Sequence, residues 1–185
     1  MAKLVSKTYG DALFSLATEE NRVDAMTQEV IEIRKAFSEN PDLLMILKNP
    51  DIGKSEKTEL VERIFKDRVS DDLVGFLRII VTKQRQNDLA AILDYYLAQV
   101  KEYKKIGVAH VTVPMELSEE WKAKIEQKLL ETTKYVEMEM YFHLDPSLIG
   151  GMVIRIGDTV VDSSISNKLT EISRGLMHTP LKEQA

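Results

Sequence analysis

The stretch DPSLIGGMVIRIGDTVVDSSI, residues 145–165, contains two short apolar runs on either side of a Gly-Asp pair. Both residues of the pair, at positions 157–158, tolerate a positive φ, so they predict a two-residue turn between strands at 152–156 and 159–161. After the second strand, Ser163 predicts the N-cap of a last helix. The apolar stripe of that helix, with steps of four, three and four, consists of Ile165, Leu169, Ile172 and Leu176. The stretch therefore predicts a hairpin followed by an amphipathic helix.

Upstream of this hairpin the sequence predicts two more strands and a helix. Residues 108–113 are rich in β-branched side chains and alternate in character, and Pro114 ends the run. Ser118, followed by two glutamates, predicts the start of a helix, and residues 135–142 then alternate as a half-buried strand does. We therefore predict an α/β domain over residues 106–185, with a small sheet and a terminal helix.

The sequence before residue 106 has helical periodicity almost throughout. Its first two apolar stripes consist of Val5, Tyr9, Ala12, Leu13 and Leu16, and of Met26, Val30, Ile33 and Phe37. Short connections between about six such segments predict a six-helix antiparallel bundle over residues 1–105. The segment 73–81 is apolar nearly all round, which predicts either a central helix or one that offers a second face to a partner. The predicted fold class is mainly α with a smaller α/β part.

Composition and charge exclude several classes of protein. The 185 residues are 44% hydrophobic and 30% charged, with 8 Gly and 5 Pro, which excludes collagen-like, low-complexity and wholly disordered chains. The absence of cysteine excludes disulfides and thiolate metal sites. A net charge of -5 opposes nonspecific binding to nucleic acid or to an anionic membrane. No apolar run is long enough to span a bilayer, and the amphipathic N-terminus lacks the continuous apolar region of a signal peptide.

The polar residues form no recognisable catalytic, cofactor-binding or metal-binding motif. His110, His143 and His178 lack the four-residue helical spacing of a zinc site, so we expect no metal. The aspartates near the hairpin fit turns and caps, and no phosphate-binding glycine loop or nucleophile elbow occurs. Two alternatives remain open at this point. One is a helical adaptor that binds a partner helix, and the other is a small hydrolase that uses Asp158 and Asp162 with a divalent cation.

Three segments resemble one known family. Residues 145–165, closing on Leu169, resemble the C-terminal signature of the ATP synthase delta subunit family, whose mitochondrial relative is the oligomycin-sensitivity-conferring protein. Residues 9–14 resemble the Tyr-x-x-Ala motif at the start of the family's first helix. Residues 85–93 resemble the segment, beginning with arginine, that leads into the family's sixth helix. Gln84 departs from some members, which have glycine there. The resemblance spans the whole chain.

This resemblance implies a nonenzymatic stator subunit of a bacterial F-type ATP synthase, with no catalytic residue, cofactor or metal. In the family, the helical domain, residues 1–105 here, sits on the catalytic alpha/beta head and binds the N-terminal helices of alpha subunits. The C-terminal domain, residues 106–185 here, binds the b subunits of the peripheral stalk. The subunit resists rotor torque during proton-driven ATP synthesis. The implied location is the cytoplasmic face of the cell membrane, reached through the complex, and no nucleic-acid partner is implied.

The resemblance also assigns candidate partner-binding residues. One groove of the family lies between the first and fifth helices, and its expected lining here is Tyr9, Ala12, Leu13, Leu16, Phe76, Leu77, Ile80 and Val81. Ala12 is small, so an incoming helix can approach it closely. The alternative is that most of these eight residues fill the bundle core. In the stalk-binding domain the signature residues are Gly150, Gly151, Arg155, Gly157, Asp158 and Asp162.

Overall fold

The computed structural model describes residues 2–169 of the chain. Contacts between backbone positions divide the chain into two compact units, Met1–Tyr103 and Lys104–Ala185. The described part of the first unit is helical, and that of the second contains a small sheet and a long helix. Within residues 2–169 no helix combines the length and the apolar character needed to cross a membrane.

The described part of the first unit forms helices α1 to α6. Their bounds are α1 Ala2–Glu19, α2 Val23–Glu39, α3 Pro41–Lys48, α4 Lys54–Phe65, α5 Asp71–Thr82 and α6 Leu89–Tyr103. The predicted stripe of α2 lies inside, because Met26, Val30 and Ile33 have no exposed surface and Phe37 is also buried. Helix α3 begins at Pro41, whose fixed φ and missing N–H suit a first turn. The helical periodicity of the sequence thus identifies the buried face of α2 correctly.

Four of the described helices are followed by a non-glycine residue with a positive φ. Asn21 follows α1 with a φ of 54°, Asp67 follows α4 with 64°, Gln84 follows α5 with 57°, and Lys105 follows α6 with 55°. Asn and Asp adopt this left-handed conformation more readily than most residues. Glutamine adopts it at a cost, because its Cβ clashes with the neighbouring backbone. The family resemblance implies glycine at this position in some members, and glycine adopts this conformation without that clash. Gln84 adopts the left-handed conformation in its place.

Helix α5 supplies much of the core of the first unit. Its buried residues are Leu73, Val74, Phe76, Leu77, Ile80 and Val81. Full burial of one such side chain stabilises a fold by about 1.5–3 kcal/mol relative to its exposure to water. Among the apolar residues after Val74, Ile79 is the exception, since 51% of its surface is exposed. The composition of α5 predicts either a central helix or one with a second face for a partner, and the structure shows a largely buried helix with a limited outer surface.

The described part of the second unit is an α/β fold. Its elements are β1 Ile106–Val113, α7 Glu119–Thr132, β2 Glu137–Leu144, β3 Val153–Ile156 and β4 Thr159–Asp162. The sheet order is β2-β1-β3-β4, with β1 parallel to β2 and the other two pairings antiparallel. The parallel pair needs a crossover connection, which α7 provides. The result is a small mixed sheet with β2 at one edge and β1 in the interior.

The two faces of this sheet differ in exposure. Ala109, Val111 and Val113 alternate along β1 and are buried, as are Met138 of β2 and Ile125 of α7. The opposite face of β1 carries Val108, His110 and Thr112, which are half-buried or exposed. The described residues therefore cover one face of the sheet and leave the other open to solvent.

The predicted hairpin is confirmed, and the predicted helix cap is one residue out of place. Ile156 pairs with Thr159, so residues 157–158 form the two-residue turn. The cap is Ser164 rather than Ser163, because the Ser164 hydroxyl accepts the Asn167 N–H at 3.2 Å and the helix begins at residue 165. Ser163 instead donates its backbone N–H to a carbonyl before β3. Two residues of the predicted stripe, Ile172 and Leu176, lie outside the described residues.

Candidate partner-binding surfaces

Helix α1 is fixed against α6 by a close approach and a polar cluster. A Cβ added to Gly10 would collide with the Tyr95 ring, so the helices meet at a distance that a side chain here would not allow. The Tyr95 hydroxyl donates to an Asp11 carboxylate oxygen at 3.1 Å, and Gln99 Nε2 donates to the same oxygen at 2.7 Å. Burial raises the pKa of the Tyr95 hydroxyl, and the hydrogen bond to Asp11 raises it further, so this group remains a donor at neutral pH. Because this side of α1 is in contact with α6, only the other sides of α1 can contact another partner.

A row of apolar residues on α1 remains accessible beside α5. Val5, Tyr9 and Leu16 are half-buried against the core, and Ala12 is exposed among them. These residues are spaced four, three and four positions apart in the sequence, so they lie on one face of the helix. The Tyr9 ring meets the Phe76 ring of α5 edge to face, with the ring centroids 6.5 Å apart. We call Val5, Tyr9, Ala12 and Leu16 the α1 row.

The eight residues predicted to line the groove between α1 and α5 fall into two groups. Those buried in the core of the first unit are Leu13, Phe76, Leu77, Ile80 and Val81. Those that keep accessible surface are Tyr9, Ala12 and Leu16. Buried residues set the spacing of the helices, whereas accessible residues can contact a partner directly. The core interpretation therefore holds for five of the eight residues, and the other three stay predicted groove residues.

The sequence interpretation missed Val5 and Ile79 as surface candidates. Ile79 lies one helical turn from Phe76 on α5 and is half exposed. A shallow depression of ≈ 320 Å³ is lined by Gly75, Arg78, Ile79, Thr82 and Lys83. Periodicity could not single out Ile79, because nearly every position of this helix is apolar. Val5 was visible in the stripe of the first helix but was not among the residues assigned to the groove.

In the second unit the glycine pair closes the open end of the β3–β4 hairpin. Gly151 has a φ of 82°, and a Cβ there would collide with the Ser163 carbonyl oxygen. Ser163 donates its N–H to the Met152 carbonyl at 2.9 Å, and Ile165 donates to the Gly150 carbonyl at 3.0 Å. The segment before β3 and the segment after β4 therefore lie side by side, and Gly151 permits their close approach.

The other signature residues shape the hairpin turn and the start of the last helix. Gly157 has a φ of 56° in the turn, and its carbonyl accepts from Arg155 Nε at 3.3 Å. Asp158 is exposed beside it. Asp162 accepts the Ser164 N–H at 2.8 Å, and hydrogen bonds from Ser164 hold the pKa of Asp162 below its usual range. The Asp162 carboxylate thus supports the helix start, which is a structural role.

Comparison with known proteins identifies the family. A family model described as the ATP synthase delta (OSCP) subunit matches residues 5–176. The chain belongs to the ATP synthase delta subunit family. A relative named ATP synthase subunit delta from Lachnoclostridium phytofermentans is 51% identical over 181 residues, which cover 98% of this chain and 100% of the relative. Another of the same name from Desulforamulus reducens is 35% identical and covers 94% and 95% of the two chains.

The fold of this chain also resembles that of a chain in a solved structure. A chain in the cryo-EM structure of the Toxoplasma gondii mitochondrial ATP synthase hexamer superposes with a TM-score of 0.73, covering 94% of this chain and 98% of that chain. The two are 17% identical in sequence, so this likeness concerns the fold. The mainly helical fold with a small mixed sheet is therefore shared with a chain of that complex.

Family membership decides between the functional classes that the sequence left open. The delta subunit is a structural subunit of ATP synthase and is not an enzyme by itself, which confirms the nonenzymatic prediction and removes the hydrolase alternative. The other alternative was a different scaffold, a helical adaptor that binds a partner helix, and membership of the delta subunit family replaces it. The remaining question is which surfaces bind which subunits.

Proposed function

We propose that this chain is a stator subunit that joins the top of the catalytic alpha/beta head to the b subunits of the peripheral stalk. Residues 1–105, as a six-helix antiparallel bundle, bind the head, and residues 106–185 bind the stalk. The subunit then holds the head against rotor torque while proton flow drives ATP synthesis. It works on the cytoplasmic face of the cell membrane and reaches that membrane only through the complex. The observation that carries the proposal is the accessible α1 row beside α5, on a chain of this family.

The α1 row has the form of one wall of a helix-binding groove. Helices that bind in grooves use apolar anchors one turn apart, and the row presents apolar groups at that spacing. Tyr9 and Leu16 supply half-buried contact area, and exposed Ala12 leaves room for the backbone of an incoming helix. On α5, Phe76 is in contact with Tyr9, and exposed Ile79 lies on the adjoining surface. The proposed occupant is the N-terminal helix of an alpha subunit.

The buried members of the predicted set support this groove indirectly. Leu13 of α1 and Leu77 and Ile80 of α5 are almost completely buried in the core. Their packing fixes the helices that carry the accessible residues. A rigid groove loses less conformational entropy on binding than a flexible one, which favours slow dissociation. Slow dissociation is what a stator needs, since the joint must outlast each rotor step.

The function is tested by calorimetric titration of the full chain with a synthetic peptide of the alpha-subunit N-terminus. We expect saturable binding with a dissociation constant in the micromolar range or below and a negative heat-capacity change, because apolar surface is buried. Copurification of alpha and b subunits with the tagged chain provides a second readout. Failure of the folded chain to bind the peptide, together with absence of alpha from the copurified material, would overturn the head-binding assignment.

Weak salt dependence is a further expectation for this interface. Contacts between apolar groups are not screened by ions, whereas exposed charge pairs are. The α1 row contains no charged residue. We expect the dissociation constant of the alpha peptide to change by less than about threefold between about 0.05 and 0.5 M salt. A steep loss of affinity over this range would show that charged residues at the edge of the interface, rather than the α1 row, supply most of the binding free energy.

A further inference from the structure

Two histidines that are far apart in the sequence meet on the open face of the sheet. In the parallel pairing of β1 and β2, His110 lies opposite Tyr141, and Thr112 lies opposite His143. The ring atoms His110 Nδ1 and His143 Nε2 are 3.2 Å apart, and the two rings are nearly parallel, with an interplanar angle of 19°. Both side chains are exposed at the edge of a shallow depression of ≈ 680 Å³.

This separation matches the spacing of two nitrogens on one metal ion. Zinc binds imidazole nitrogen at about 2.0–2.1 Å in tetrahedral geometry, which places two such ligands roughly 3.2–3.4 Å apart. Although the sequence spacing of the histidines predicts no metal, this geometry favours one, and we propose that His110 and His143 form a two-histidine site for a late first-row divalent ion such as Zn²⁺. Residues 2–169 contain no group of three or more His, Cys, Asp or Glu side chains arranged to hold an ion. Water therefore completes the coordination shell.

Binding requires a local change of tautomer and no change of backbone. In the neutral pair, one ring nitrogen donates its proton and the other accepts it. When an ion replaces this shared proton, the donor ring carries its proton on its other nitrogen, so both facing nitrogens present lone pairs. Both rings are exposed, so they can turn slightly to let the two lone pairs converge.

One cation and one anion lie near the two histidines. Arg155 lies opposite His110 in the β1–β3 pairing and lines the same depression, and its Nε donates to the Gly157 carbonyl at the hairpin turn. On β2, the Glu139 carboxylate accepts from the Tyr141 hydroxyl at 3.2 Å and contributes a negative charge to the same face. The Tyr141 ring stacks on His110 at 5.3 Å between centroids and restrains that ring.

An ion at this position would connect an edge strand to the interior of the sheet. Among residues 2–169, strand β2 pairs with β1 alone, and each of these strands carries one of the two histidines. A metal bond between them adds a cross-strand link that is independent of the backbone hydrogen bonds. Because the ion binds the folded pairing and not the separated strands, it raises the stability of the second unit by mass action.

The test is a calorimetric titration of the full chain with Zn²⁺ near pH 7.5. We expect one ion per chain with a dissociation constant in the micromolar range, and a loss of at least about tenfold in affinity for His110→Gln and for His143→Gln, each of which removes one of two ligands. His178→Gln is the matched control and should keep the affinity of the unsubstituted chain. Mg²⁺, which prefers oxygen ligands, should not bind.

Thermal unfolding separates the proposed link from adventitious binding. Zn²⁺ should raise the unfolding temperature of the unsubstituted chain and of His178→Gln, and leave that of His143→Gln unchanged. Two results would overturn the proposal: no Zn²⁺ binding below millimolar concentration, or equal binding by the His143→Gln chain. Both histidines are exposed, so the variants should fold, and circular dichroism checks that they do.

Discussion

Gly151→Ala should destabilise the second unit by about 2–5 kcal/mol. About 1–2 kcal/mol comes from placing a side chain in the left-handed region, where Gly151 has a φ of 82°. A further 1–3 kcal/mol, roughly, comes from overpacking, because the new Cβ would collide with the Ser163 carbonyl oxygen and lie 2.9 Å from Ser164 Cα. Both are backbone atoms that cannot rotate away. Trp121 of α7, the one tryptophan of the sequence, reports urea unfolding of this unit by fluorescence.

Gly157→Ala is the control for this prediction. Gly157 also has a positive φ, 56°, but nothing lies within 4 Å of a Cβ added there. It should therefore cost about 1–2 kcal/mol, the conformational part alone. Equal losses for the two variants would mean that the close approach to Ser163 contributes nothing, and the structural account of the glycine pair would be wrong.

Ala12→Trp should weaken binding of the alpha-subunit N-terminal peptide by about 100-fold or more, which corresponds to about 2.7 kcal/mol. The indole would occupy the space through which the backbone of the incoming helix approaches the α1 row. Ala12 is exposed, so the substitution should leave the fold of the first unit intact. Calorimetric titration of the full-length variant measures the affinity, and circular dichroism with thermal unfolding checks the fold.

Ser15→Trp provides a matched control on the same helix. Tyr9 and Ser15 lie on opposite sides of Ala12, about 60° away in each direction around the helix. Ser15 is also exposed, so both variants add an indole to an exposed position of α1. We expect the peptide affinity of Ser15→Trp to stay within about threefold of the unsubstituted chain. If Ala12→Trp binds as tightly as Ser15→Trp, the groove does not pass over Ala12.

The parts of the fold that depend on residues close together in the sequence were predictable from the sequence. The β3–β4 hairpin follows from the Gly-Asp pair and its apolar flanks, and the buried stripe of α2 follows from helical periodicity. The helix cap was assigned to Ser163 because adjacent serines carry the same local signal. Ser164 is the cap because the hydrogen bond between Ser163 and Met152 fixes which serine faces the helix.

The candidate surfaces were only partly predictable. On α1, periodicity groups Ala12 and Leu13 in one stripe, and only packing shows that Leu13 is buried and Ala12 exposed. On α5 the uniformly apolar sequence contains no signal that separates Ile79 from its buried neighbours. The pairing of His110 with His143 depends on the register of two parallel strands separated by a helix, and no local pattern encodes that register.

Under the stator function proposed above, the interior position of β1 has a mechanical consequence. Strand β1 is the first element after the first unit, so tension transmitted along the chain enters the sheet at Ile106. This strand pairs over eight residues with β2 and over four with β3. A pull along its axis must shear both ladders together, whereas an edge strand pulled sideways would unzip one hydrogen bond at a time. The sheet order thus places the strongest resistance to extension where the chain first takes up tension.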